Sequence, residues 1–431
     1  MTDVTTPLAP HDDLAARRAA LTLLEAALER RGGIDEAVAA GPLQRLDARD
    51  RAFARALTLS ALRRLGAIDR LLSPKLTREP PPRVRSLLRL GVAQLFWFDT
   101  PDHAAVSTSV ALADRDKATR PFKGLVNAVL RGLLRDGAPA DDPEALAPPW
   151  LYARWQAAWG AEAARAIAAE IAAEPATDLT VRDNGDIEIL AAELEAQVLP
   201  GGTLRVGRRG DPSLWPGFAE GRWWVQDAAA AIPARLLHAN AEQTAADLCA
   251  APGGKTLQLA AGGAATVAVD RSAERLKRVR ENLTRMNLTA EVVAADAGDW
   301  ADARTFDAVL LDAPCSATGT FRRHPDVLWA ARPGDIAKLA AVQTRLLDSA
   351  AARVAPGGRL VYCVCSLEPE EGEDQIRAFL ARNPAFATEP CAPGEGGAPE
   401  ASLTPEGWLR LLPHQREGGQ DGFFVARLVR V

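Results

Sequence analysis

From Thr244 onward the chain alternates short apolar runs with helical segments, and that alternation leaves few folds open to it. Runs at Ala245–Cys249, Thr266–Val269, Glu291–Ala294, Asp307–Leu311 and Arg359–Val364 have the length and composition of buried strands. Helices are expected between them, beginning near Lys255, Ala273 and Ile336. Such a succession implies a parallel, doubly wound sheet, an α/β fold in which ligands sit outside the carboxyl ends of the strands. A last run, Phe423–Val429 after the turn Gly418–Gly422, reads as a late hairpin strand.

The front of the chain follows a different period. Apolar residues recur at three- and four-residue spacing in Leu14–Leu28, Phe53–Leu65, Val84–Phe98, Val106–Ala113 and Leu125–Leu134, which predicts an all-helical region over residues 11–137. Gly32-Gly33, Pro80–Pro82 and Thr100–Asp102 punctuate it as turns. Asp102 is expected to cap a helix just before His103, a histidine read as structural. Residues 138–149 have the composition of a linker, and residues 150–235 read as a small α+β subdomain. In that subdomain a helix from Trp150 to about Ala173 precedes strands near Asp178–Arg182 and Thr203–Val206, and Trp223–Asp227 leads into a helix at Ala228–Leu237. Residues 236–431 form the α/β part.

Composition excludes several classes of function. No apolar run approaches the roughly 18 residues a membrane helix needs, and the first residues lack a signal-peptide pattern. The five cysteines are too few and too unevenly placed for a disulfide scaffold, so a cytoplasmic protein with free thiols and no metal is expected. The net charge of −5 argues against indiscriminate nucleic-acid binding. It is unevenly distributed. Residues 1–140 carry 22 Lys+Arg against 16 Asp+Glu, while the remainder carries 29 against 40. A basic front on an acidic body suggests that the helical part helps hold a polyanion.

The first α/β turn is Asp247-Leu-Cys-Ala-Ala-Pro-Gly-Gly-Lys-Thr256. Its glycines let backbone approach a ligand, and the helix start behind them offers unpaired N–H groups. It is not a P-loop, because Cys249 stands where that motif needs glycine, and Gly-x-Gly-x-x-Gly is absent. Acids end three successive strands: Asp270, Asp296 and Asp312. The first of these can accept both hydroxyls of a ribose and the second an adenine amino group. Without a phosphate motif, this set favours S-adenosylmethionine.

Two cysteine segments close the later strands, Asp312-Ala-Pro-Cys315-Ser and Tyr362-Cys-Val-Cys365-Ser. C5 of cytosine is a poor nucleophile, and a thiolate adding to C6 activates it toward a donor methyl group. Such a site needs one attacking thiol, a carboxyl group at the base edge, and a second group to complete elimination. Asp312, Cys315 and Cys365 supply these types, and the two thiols are expected to converge, flank one pyrimidine ring and titrate together.

These segments, with Arg322-Arg-His-Pro-Asp326 and Tyr362–Glu371, resemble the motifs of the RNA cytosine-5 methyltransferases, and most closely the Fmu/Sun group of 16S rRNA methyltransferases of the B type. Pro101–Val106 and Gly124–Arg131 resemble that group's NusB-like helical domain, Trp215–Gly221 with Val225–Ala228 the lead-in to its catalytic domain, and Asp421–Phe424 its closing hairpin. The likeness runs from about residue 11 to the C-terminus.

The resemblance implies that a Rossmann-like methyltransferase sheet follows a NusB-like, RNA-contacting domain. It implies that Cys249, Ala250, Ala251, Pro252, Gly253, Gly254 and Lys255, with Asp270, Asp296 and Asp312, bind S-adenosylmethionine. Cys365 would be the nucleophile, and Cys315 would assist product release. Arg322, Arg323 and His324 follow the catalytic loop and are candidate phosphate grips around an extruded base. Two departures stand out: Val364 replaces the usual Thr before the nucleophile, and Cys363 is an additional thiol on the same face of a regular strand. The expected partner is small-subunit rRNA or its assembly intermediate, met by a monomer. The competing readings are methylation of tRNA or large-subunit rRNA, a DNA cytosine methyltransferase that would leave Cys365 without a role, and a non-catalytic RNA-binding or antitermination factor.

Overall fold

The structure is a computed structural model that describes residues 14–29, 34, 37–38 and 41–431; residues 11–13 and the Gly32-Gly33 turn lie outside the described residues. The chain divides into two compact units, residues 1–153 with 324–330, and residues 154–323 with 331–431.

The longer helices of the first unit are α1 (Ala15–Glu29), α2 (Ala48–Arg63), α3 (Leu65–Leu72), α4 (Pro82–Phe96), α5 (Asp102–Arg115) and α6 (Lys123–Asp136). Their apolar stripes close on one core, in which Ala20, Leu24, Leu57, Leu62, Leu88, Val126 and Leu130 are fully buried. Asp47 starts α2 by accepting from Asp50 N at 2.8 Å. At α5 the expectation needs correction. Pro101 occupies the cap position, and its carbonyl accepts from Ala104 N at 2.8 Å. Asp102 is therefore the first helical residue, where its charge complements the helix N-terminus. Residues 138–149 are not a free tether. Pro143–Leu146 makes a 3-10 turn, Ala145, Leu146 and Ala147 are buried, and Asp142 pairs with Arg70 at 2.7 Å.

The second unit holds two sheets. The helix expected from Trp150 to Ala173 is two helices, Pro149–Trp159, within which the division between the units falls, and Ala161–Ala169, because Gly160 takes φ +83° between them. A small antiparallel sheet combines β1 (Thr177–Val181), β2 (Ala196–Leu199), β3 (Thr203–Val206) and β4 (Trp223–Val225) in the order 2-3-1-4. Asp227 then caps the helix Ala228–Leu236 through Ala229 N at 2.9 Å.

The large sheet is built from β5 (Thr244–Leu248), β6 (Ala265–Asp270), β7 (Glu291–Ala294), β8 (Phe306–Asp312), β9 (Val354–Val364), β10 (Phe386–Thr388), β11 (Leu409–Leu411) and β12 (Phe423–Arg430). Its order is 10-12-9-8-5-6-7, with β11 paired to β12. Strands β5 to β9 are parallel, whereas β12 runs antiparallel to β9. Alternate residues face two cores: Leu248, Val309, Leu311, Leu360, Tyr362 and Val364 one way, Ala245, Leu310, Val361 and Cys363 the other. The chain runs outward through β5, β6 and β7, then returns to lay β8 on the other side of β5. That reversal opens a crevice at the carboxyl ends of β5 and β8.

Candidate active site

The two cysteines are brought together by neighbouring strand ends. Asp312, the last residue of β8, stands opposite Cys363 of β9. Beyond the strands the loops stay laced, with Ala313 N donating to the Cys363 carbonyl and Gly319 N to the Cys365 carbonyl, each at 3.0 Å. Cys315 Sγ and Cys365 Sγ consequently lie 3.4 Å apart, both half-buried. The thiols converge as expected, but a ring cannot lie between sulfurs already in contact, so a base must meet the pair from one side. The bond to Cys365, then burial, push the Cys315 thiol well above its ordinary range, with Glu371 adding to the shift. Cys315 therefore keeps its proton at neutral pH.

Asp312 is held from two directions. Lys255 Nζ donates to Oδ2 at 2.7 Å and Cys363 Sγ to Oδ1 at 3.4 Å. Burial would pull the Lys255 ammonium down, but Asp312 overrides it and the group is held above its usual value. Cys363 is fully buried, and burial, then the Asp312 charge, push its thiol well up. Val364 points into the opposite core with Tyr362, away from Cys363.

The glycine turn begins one residue earlier than the strand pattern suggested. β5 ends at Leu248, and Cys249 turns the chain with φ +65° in the left-handed region. Ala250 N donates to Val269 O at 3.0 Å, Gly253 takes φ +107°, and the helix Gly254–Ala261 starts there with Lys255 on its first turn. Asp270 at the end of β6 accepts from Ala251 N at 3.1 Å and Ser272 N at 2.8 Å, which fixes the turn against the next strand. Asp296 accepts from the single nitrogen Arg345 Nη2 on both its oxygens, at 3.1 and 3.2 Å, and from Gly298 N at 2.8 Å; these bonds hold its carboxyl below the usual range.

Cys249, Asp270, Asp296, Pro314, Val342, Arg345 and Leu346 line one cavity. Arg271 and Arg275 line it as well, and its two carboxylates beside the apolar Pro314, Val342 and Leu346 are of the chemical types that the ribose and adenine of S-adenosylmethionine call for. Burial and nearby Asp312 push the Cys249 thiol up to about 12, so it contributes an uncharged surface.

Pattern reading missed several residues here. Arg345 lies on a helix, Pro333–Ala351, with no motif of its own. Asp247 is buried, accepts from Thr256 Oγ1 at 2.5 Å, and is pushed by burial up to about 7. Glu371 sits fully buried beneath both cysteine loops. The signals available for the last two were membership of the motif strings themselves.

One expected phosphate grip is corrected. Arg322 is 2% exposed; it bonds the Gly418 carbonyl at 2.6 Å and pairs with Glu170 at 3.2 Å, so it is a structural cation. Arg323 is solvent-accessible beside its partner Asp421, and half-buried His324 belongs to the 324–330 segment of the helical unit.

Comparison with known proteins matches this architecture. Residues 234–429 match the family described as 16S rRNA methyltransferase RsmB/F, and residues 14–135 match the NusB family. The ribosomal RNA small subunit methyltransferase B of Pseudomonas syringae pv. tomato is 39% identical over 440 residues, covering 96% of this chain and 97% of its own. That of Pseudomonas putida is 39% identical over 446 residues, covering 96% and 98%. The solved structure of PH0851 superposes with a TM-score of 0.77 at 25% identity, over 96% of this chain and 98% of that one. The chain belongs to the RsmB/F family. It is an S-adenosylmethionine-dependent RNA methyltransferase with a NusB domain ahead of a Rossmann-like sheet. No helix among the described residues is long and apolar enough to cross a membrane. Within the RsmB/F frame, the paired sulfurs and the cavity lined by Asp270 and Asp296 sit at the same end of the sheet, where the crevice opens.

Proposed function

We propose that this chain methylates C5 of a cytosine in 16S rRNA through a covalent bond between Cys365 and C6 of the base. The observation that supports this most is the 3.4 Å contact between Cys315 and Cys365 next to the half-exposed Asp312. When bound, S-adenosylmethionine supplies an electrophilic methyl group. Cys249, Ala250, Ala251, Pro252, Gly253, Gly254 and Lys255 cradle it, with Asp270, Asp296 and Asp312 at its polar edges. Cys365 gives up its thiol proton to solvent, its sulfur forms a bond to C6, and the C5–C6 electron pair of the ring moves to C5. Asp312 meets the N3 edge and favours the protonated ring nitrogen. After transfer a base takes the C5 proton, the C6–sulfur bond breaks, and its electron pair returns to Cys365. Cys315, holding its proton, donates a hydrogen bond to the departing sulfur.

The relatives named for the ribosomal small subunit favour 16S rRNA over tRNA or large-subunit rRNA. Extruding a base costs least in a loop, so an unpaired rRNA loop or a partly assembled subunit, met by a cytoplasmic monomer, is the substrate we assign. Arg323 and the basic NusB domain hold its backbone. The test is methyl transfer from labelled S-adenosylmethionine to unmethylated 16S rRNA, tRNA and 23S rRNA, with the modified base mapped. Incorporation into 16S rRNA alone, at C5 of cytosine, is expected; label on another RNA or another atom overturns the reading.

A further inference from the structure

Each cysteine is followed by a serine, and both serines reach the same buried acid. Ser316 Oγ donates to Glu371 Oε2 at 2.5 Å and Ser366 Oγ to the same oxygen at 2.6 Å. The other oxygen, Oε1, accepts from Ser316 N at 2.9 Å and from Gln343 Nε2 at 3.1 Å. Gln343 also donates to the carbonyl of Pro314, the residue before Cys315, at 3.0 Å. The turn that carries the acid, Pro369–Glu371, is tied back to β9 by Tyr362, whose hydroxyl donates to the Glu371 carbonyl at 2.6 Å. Glu371 is 0% exposed, and the carboxylate's acceptor sites are filled by donors from the Cys315 loop, the Cys365 loop and the helix Pro333–Ala351.

A carboxylate buried without solvent is costly unless such donors satisfy it, and an apolar side chain could fill the same volume. What only the acid supplies is a common acceptor for two loops that are joined to different strands. We propose that Glu371 is a positioning residue that clamps the Cys315-Ser316 and Cys365-Ser366 loops together and, acting with the backbone bonds that lace them, sets the contact between the two thiols. It touches neither substrate nor cofactor. Its catalytic importance rests on the thiol roles proposed above, whereas the clamp itself does not.

The experiment reads the thiol contact directly with phenylarsine oxide. Arsenic forms a bond to each of two adjacent sulfurs, and its oxygen leaves as water with the two thiol protons. Wild-type protein should take up one arsenical bridged between Cys315 and Cys365, as peptide mass mapping shows, and Cys315→Ala and Cys365→Ala should lose it. Glu371→Gln is expected to keep cooperative unfolding and cofactor binding within about 2-fold. Its bridging affinity should fall at least about 10-fold, and kcat for RNA methylation about 100-fold with KM for RNA unchanged. The double variant Ser316→Ala/Ser366→Ala, which keeps the acid and removes two donors, should show an intermediate loss of bridging. Wild-type bridging in folded Glu371→Gln, or in the serine pair should Glu371→Gln not fold, overturns the clamp. If bridging depends on Glu371 but wild-type protein transfers no methyl group to RNA, the clamp stands and the assigned reaction falls.

Discussion

Lys255 Nζ and Asp312 Oδ2 lie 2.7 Å apart across the crevice between β5 and β8, so the glycine turn and the Pro-Cys loop share one ion pair. The lysine side chain is 10% exposed and the aspartate 31%. The proposed cofactor turn and the proposed reacting loop are coupled through this pair, so disturbing either should be felt at the other.

Lys255→Met removes the cation and leaves Asp312, among the described residues, with only the weak Cys363 thiol as side-chain donor. Because Asp312 is partly solvated, the loss should fall below that of a fully buried pair, about 2–3 kcal/mol of stability. Calorimetric titration should also show S-adenosylmethionine binding weakened about 10-fold or more. A variant with wild-type affinity would mean that the pair is structural alone.

The two thiols should fail in opposite ways. Cys365→Ala should abolish any denaturant-resistant protein–RNA adduct along with turnover. Cys315→Ala should accumulate that adduct with turnover reduced about 100-fold or more, within the usual range for loss of a proton-handling group. Gel analysis of labelled RNA after denaturation separates them, and exchanged outcomes would reverse the two roles.

The strands that carry the site were legible because each is a short apolar run ending in a chemical residue: Glu291–Ala294 was placed to the residue, and the others within a residue or two except at the start of β9. What stayed hidden follows from tertiary context. β2 pairs as Ala196–Leu199 although Gln197 and Val198 are exposed, and β10 and β11 have only three residues each, too short for any period to appear. Gly160 looks like a residue in a helical run until its positive φ breaks the helix. Arg322 reads as a phosphate contact next to Arg323, and only the fold reveals that one of the pair points inward. Glu371 sat in a run of acids, where charge suggests solvent and the Ser316 and Ser366 donors cannot be foreseen.

Arg322→Ala should therefore act on folding before it acts on RNA. Removing a cation that is 2% exposed strands the Gly418 carbonyl and leaves Glu170 without its partner. A loss of roughly 2–4 kcal/mol is expected by urea denaturation, since Glu170 is partly solvated. The salt dependence of RNA binding by the folded fraction should be unchanged, whereas Arg323→Ala should flatten it by roughly one phosphate contact. A reduced salt slope in folded Arg322→Ala would restore it as an RNA contact.

Asp247 gives a pH dependence with a definite sign. Burial, opposed by the Thr256 hydroxyl, raises its folded-state pKa to about 7, whereas an unfolded aspartate titrates near ~3.9. Between those values the folded chain binds the extra proton, so this group's contribution to stability falls as pH rises from about 4 to about 7. Asp247→Asn keeps an acceptor for Thr256 Oγ1 and has no proton to lose. Relative to wild type, its unfolding free energy should therefore improve by roughly 2–4 kcal/mol between pH 4.5 and pH 8. Paired urea titrations at the two pH values measure that difference, in which the other carboxylates cancel; a difference that stays constant would show that Asp247 is ionised throughout.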